Sequence, residues 1–173
     1  MIVKTELLNY LQRLSASSGM SSRLGLMTIS EGTLAQVPVP EAGLERWLPA
    51  LLIDIPRIDY EENVGEGTTG YQAQIYPINF FHVRKAVPTE KLSAEDTRIL
   101  SEIHALFRDD QDIKDELQRT EPPWGIQGLG WVRRVRVTQD DFAPVETAEL
   151  DEALLGTVRT VCLRASVEMR TLF

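Results

Sequence analysis

The sequence holds one cysteine, Cys162, so an internal disulfide is excluded, which fits synthesis in a reducing compartment. No apolar run approaches the roughly 20 residues needed to span a bilayer. The N-terminus, MIVKTELLNYLQ, turns amphipathic at once and has no apolar h-region or small-residue cleavage site, so no secretory signal is expected. Internal repeats and low-complexity tracts are lacking, and no catalytic motif appears. Excess positive charge is lacking too. The net charge is −8, which disfavours nonspecific binding of nucleic acid or membrane, both of them anionic. With 43% hydrophobic and 25% charged residues over 173 positions, the chain reads as one ordinary globular domain, 1–173.

What is present centres on Trp47 to Val87. An apolar run, Leu48 to Ile55, leads into the acidic segment Asp59 to Gly70, and a second extended run, Tyr71 to Val87, comes back out. Both arms are rich in β-branched and aromatic residues, the signature of two strands joined by a long exposed connection. Pro77 removes a ladder donor in mid-run, so a bulge or an edge position is expected there. Alternation is clean before Pro77 and mixed after it, which predicts a strand passing from a half-exposed into a covered setting.

Around this pair the remaining elements fall into place. Leu7, Leu8, Leu11 and Leu14 recur at helical spacing within 3–16. Residues 17–43 read as an insertion or extended loop region, with short strands expected over Leu24–Ile29 and Leu34–Val39 about a turn at Ser30-Glu31-Gly32. Ser93 to Asp109 is a helix by its cap, its acidic first turn and the stripe Ile99, Ile103, Leu106 and Phe107, flanked by Leu100. His104 borders that stripe. A helical turn is expected over Asp112–Leu117, a loop over Glu121–Gly130 and a turn or two over Glu146–Leu155. Trp131–Thr138 is a strand, and Gly156–Phe173 closes the chain as a long antiparallel strand with one apolar and one polar face. The fold class expected is α+β, an α/β sandwich. Its sheet is mainly antiparallel with long strands, flanked by an N-terminal helix and a central helix.

Two charged stretches stand out. Asp59, Glu61, Glu62 and Glu66 share a segment with three glycines, but their spacing does not match an EF-hand and no phosphate-loop Gly-Lys-Ser/Thr follows. The segment reads as an exposed connection suited to docking. Arg133, Arg134 and Arg136 form a local basic patch with no interleaved aromatic platform for nucleic acid. The patch reads as a strand whose exposed side pairs with acidic groups, such as Asp59 to Glu66 of a neighbouring chain. These seven residues are the candidate subunit or partner interface. Catalytic residues, metal ligands and cofactor-binding residues are not assigned. Asp54 reads as a strand-end carboxylate, His82 as a packed or surface residue, and Cys162 as an inert half-buried thiol.

Leu48-Pro49-Ala50-Leu51-Leu52-Ile53, Tyr60-Glu61-Glu62, the long strand Gln72 to Arg84 and the alternating C-terminal strand together resemble the small α/β proteins at the neck and upper tail of tailed bacteriophages, especially the tail terminators. The resemblance implies a non-enzymatic virion protein, assembled in the host cytoplasm. It implies a hexameric ring that caps the tail tube and joins it to head-side neck or connector proteins, touching the sheath in a contractile tail. The longer 23–43 segment leaves terminator, stopper and tail-completion roles open. Two alternatives stand beside this reading. One is a cytoplasmic small-molecule-binding or regulatory domain. The other is an enzyme of unknown class using Asp54, Glu61 or His82.

Overall fold

The structure is a computed structural model. It describes residues 8, 9, 12, 24, 25, 27–63, 71–86, 94–108, 130–139, 154 and 156–172, with the backbone alone at 40, 61–63, 71–73, 106–108, 130–139 and 169–172. Six strands form one sheet: β1 (Thr28–Glu31), β2 (Ala50–Asp54), β3 (Asp59–Asn63), β4 (Tyr71–Lys85), β5 (Gly130–Gln139) and β6 (Val158–Leu172). Their order is β1-β2-β4-β6-β5, with β3 also paired to β4. Only β1 with β2 is parallel, and every other pair is antiparallel. The expected α+β class with a mainly antiparallel sheet is therefore what forms.

The axis of the sheet is β4 paired with β6. Fifteen residues of each strand run in unbroken register from Tyr71↔Leu172 to Lys85↔Val158. Alternation gives each strand an inner set for the α2 side, where α2 is the helix Ala94–Arg108. Ile78, Phe80, Val161, Leu163, Ala165 and Val167 bury there with Leu51 and Ile53 of β2 and Ile29 of β1, and with Ile99, Leu100 and Ile103 of α2. Full burial of a side chain such as Phe80 contributes about 1.5–3 kcal/mol before cavity terms. Glu95 and Asp96 occupy the first turn of α2. Leu8, Asn9 and Gln12 have helical backbone. Leu8 packs against this same core, and the Gln12 side-chain amide donates to the Ile29 carbonyl at 3.1 Å.

On the other face the described residues form a second cluster at one end. Leu52, Val83 and Val158 meet Leu34 and Val37, Leu44 of the short helix α1 (Leu44–Trp47), and Leu154. Within 17–43, Thr28–Glu31 joins the sheet as β1, so Ser30 and Glu31 belong to a strand rather than a turn. The strand expected over Leu34–Val39 does not form, because Leu34–Gln36 is a 3-10 turn and Pro38 and Pro40 follow it.

Pro77 makes no bulge, since its register with Ser166 is continuous. Nor is β4 an edge strand. The break lies in the neighbour instead: β2 ends opposite Asn79, and β3 begins opposite Ile75. No strand of the described sheet lies opposite Pro77 on that side, so its missing donor interrupts nothing there. Four residues, Ile55 to Ile58, stand against three on β4, and both Ile55 and Ile58 reach the α2-side core. Past Pro77, Ile78, Phe80, His82, Val83 and Arg84 are all buried, so the strand does enter a covered setting. As the sheet's penultimate strand, β6 does not keep a wholly polar second face. Thr160, Ser166 and Cys162 on it are buried, and the Cys162 thiol is more enclosed than its polar register suggested. The turn expected over Asp112–Leu117 lies outside the described residues, as do the loop over Glu121–Gly130 except Gly130, which begins β5, and the turns over Glu146–Leu155 except Leu154.

Candidate functional site

At the covered end of the β4–β6 ladder three polar side chains lie inside the core. His82 and Arg84 are two apart on β4, so they share its α2 face. The linker to α2 is short enough that Asp96, in the helix's first turn, meets both. His82 Nδ1 lies 2.7 Å from Asp96 Oδ1, and Arg84 Nε donates to Asp96 Oδ2 at 2.6 Å. All three are buried, His82 and Asp96 almost completely. A carboxylate paired with a guanidinium only accepts, so the imidazole proton resides on Nδ1. Arg84 also donates through Nη1 to the Lys85 carbonyl at 3.1 Å. His82 Nε2 and Arg84 Nη2 have no hydrogen-bond partner. Arg159 stands opposite Arg84 in the ladder, which makes Asp96 the counter-charge at a crowded cationic spot.

This cluster ties α2 to the sheet, and it offers no nucleophile. Sequence reading treated Asp96 as a helix-dipole acid and His82 as a bland residue. The link between them is visible only once α2 folds back, and the one hint was the His-Val-Arg spacing. Nearby, Arg98 donates to Glu95 at 2.7 Å and to the Leu24 carbonyl at 3.1 Å. That hydrogen bond holds the Glu95 carboxyl below its usual range and raises the Arg98 guanidinium.

The residues named for a catalytic alternative do not converge. Asp54 sits at the end of β2 opposite Asn79, which donates to it at 3.4 Å, and Glu61 sits on β3 opposite Ala73. His82 lies opposite Leu51 and Val161 and is enclosed on the α2 face. Along β4, Ala73 and His82 are nine residues apart, about 30 Å at strand rise. A surface cleft of about 470 Å³ is lined by Thr28, Gln36, Pro38, Ala42, Gly43, Arg46 and Trp47, and Arg46 is the one titratable side chain in it. Among the described residues no three His, Cys, Asp or Glu side chains gather as a metal site.

The candidate interface residues sit at the opposite end of the ladder, on two different edges. Asp59, Glu61 and Glu62 lie on β3, which among the described residues pairs with β4 alone. Asp59 forms an exposed ion pair with Arg57 at 2.8 Å, and Tyr60 is 56% exposed. Glu66 lies outside the described residues. On the far edge, among the described residues, β5 pairs with β6 alone. Its valines recur at 132, 135 and 137, a spacing that a regular strand cannot hold on one face. A register shift between Val132 and Arg134 resolves this, leaving Arg133 as the extra residue. Val132, Val135 and Val137 then stand opposite Met169, Val167 and Ala165 of the core register. Arg134 and Arg136 stand opposite Glu168 and Ser166 on the other. The three arginines therefore do not act as one row.

Among the described residues no helix is long and apolar enough to cross a membrane. A comparison with protein-family models and one with curated proteins each returned no match.

Proposed function

We propose that this chain is a non-enzymatic structural protein of a phage tail or neck, one subunit of a ring that caps the tail tube and joins it to head-side neck proteins. The observation that carries the reading is the placement of the charged residues. Asp59, Glu61 and Glu62 fall on the strand at one edge of the long-stranded half-sheet, and Arg133, Arg134 and Arg136 on the strand at the other. Unpaired strand edges invite partners, and ring closure is one way to use them. The order of elements supports it as well: a strand after Leu48-Pro49, the acidic β3, a 15-residue β4, the helix Ala94–Arg108, an arginine-bearing strand and a 15-residue closing strand. In this role the protein works in the virion, with copies of itself, the tube protein and the connector proteins as partners.

The test is light scattering of the purified chain together with electron imaging of the particles a tagged copy enters. A hexameric ring seated at one end of a tube is the expected result. A monomer that joins no larger particle, with tube and neck proteins present, overturns the reading.

A further inference from the structure

We infer that neighbouring copies join by edge-to-edge strand addition, the β5 strand of one copy pairing antiparallel with β3 of the next. Asp59 and Glu61 then lie across from Arg136 and Arg134. The inference rests on the ring reading above and specifies the contact that closes it.

Three independent features of the sheet lead there. The first is level. β5 faces β6 from Arg164 to Thr171, and those residues face β4 from Gln72 to Asn79. β3 spans Tyr71 to Ile75 of the same strand, whereas β2 spans Asn79 to Val83. Carried sideways into a second copy, β5 therefore arrives beside β3 and not beside β2 or β1. The second is direction. β3, β4, β6 and β5 alternate at each step, so β3 and β5 run oppositely. A laterally repeated copy thus brings an antiparallel partner, the pairing every neighbour in this half-sheet already uses.

The third is charge and face. Asp59 and Glu61 are opposite Ile75 and Ala73, on the face shared by Ser166 and Glu168 of β6. Arg134 and Arg136 are opposite those same two β6 residues. Both pairs are thus two residues apart on one face of the sheet. An antiparallel register staggered two residues from the level one, with Glu61 across from Arg134, sets Asp59 across from Arg136. The same register puts Tyr60, 56% exposed in the lone chain, across from Val135 on the opposite face. Aromatic with β-branched and opposite-charge pairs are the cross-strand combinations that favour pairing. Within one copy these groups cannot meet, because β4 and β6 intervene and hold β3 and β5 about 14 Å apart. The contact uses different surfaces on its two sides, so it propagates head to tail, and a closing rotation between copies turns it into the ring of the reading above.

The experiment is reciprocal charge reversal in the full chain, read by light scattering, with circular dichroism confirming that each variant is folded. Asp59→Arg with Glu61→Arg makes both edges basic, and Arg134→Glu with Arg136→Glu makes both acidic. Each is expected to lose the ring and run as a monomer. The chain carrying all four changes, and an equimolar mixture of the two double variants, are both expected to regain it. Rings from every variant would overturn the β3–β5 contact while leaving the ring reading intact. A monomeric wild-type chain that joins no tube would overturn both. As a second readout, Tyr60→Cys with Val135→Cys in one chain should give a ladder of disulfide-linked chains under oxidation. A chain that stays uncrosslinked while assembled overturns the pairing even if a charge variant fails to fold.

Discussion

The two ends of the β4–β6 ladder handle charge in opposite ways. At the covered end, His82 and Arg84 are enclosed and both meet the Asp96 carboxylate within the chain, at 2.7 and 2.6 Å. At the far end, acidic β3 and the arginines of β5 sit on edges separated by two strands. The first arrangement is a clasp, in which a counter-ion from the next element along the chain is delivered by the fold. The second is two sets of opposite charge, on β3 and on β5, that two intervening strands keep from meeting each other within one chain. Burial makes the difference. A buried ion must find its partner in the same molecule or cost several kcal/mol, whereas an exposed one can wait for another molecule.

Substitutions can break this contrast, beginning where the effect is largest. Asp96→Ala leaves a guanidinium and an imidazole buried without their acceptor. It should cost about 3–5 kcal/mol in denaturant unfolding. Core truncation sits close behind: Ile78→Ala, beneath α2, should cost about 2–5 kcal/mol, whereas edge changes such as Glu61→Gln should leave the lone chain's stability within about 0.5 kcal/mol. If Asp96→Ala proved as mild as Glu61→Gln, the clasp would not be holding α2 to the sheet.

Tyr76 sharpens the comparison from the middle of the ladder. Burial, and then Tyr60 on β3, push its phenol up to about 12 from 10.0. Its hydroxyl donates to Gln74 at 2.7 Å. Because the folded pKa is the higher one, the unfolded chain ionises first, and stability falls as pH rises from 10.0 towards 12. The loss should be on the order of 1–2 kcal/mol, and Tyr76→Phe should abolish that part of the alkaline decline. Phenolate absorbance attributable to Tyr76 should not appear until about pH 12. The smallest effect belongs to Glu95. Its carboxyl is lowered from 4.5, so its contribution is present above that value and is lost as pH falls further. The pair with Arg98 is exposed and screened, so Glu95→Gln should cost about 0.2–1 kcal/mol at neutral pH and nothing in acid.

Much of the architecture was legible in local pattern. The stripe of Ile99 and Ile103 behind an acidic first turn marked α2, observed as Ala94–Arg108 against an expected 93–109. Alternation marked β4 and β6, and valine-arginine composition marked β5. The 3-10 turn at Leu34–Gln36 misled because its apolar residues fit a short strand equally well. For the candidate interface, sequence identified the acidic and basic stretches. It treated the three arginines as equivalent, although the spacing of Val132, Val135 and Val137 already carried the bulge that sets Arg133 apart.

By itself, then, the sequence determined the long elements and the fold class, because helix and strand periodicities are properties of neighbours along the chain; it read Asp59–Asn63 as connection where β3 forms and Leu34–Val39 as a strand where a 3-10 turn forms. It also determined the charge balance and the lack of a disulfide. Only the tertiary structure decided the order β1-β2-β4-β6-β5, the gap in which Pro77 is tolerated, and the meeting of Asp96 with His82 and Arg84. It alone also decided that β3 and β5 stand level on opposite edges. Each depends on which segments lie side by side, and that is settled by joint burial of faces distant in sequence, which no local pattern encodes.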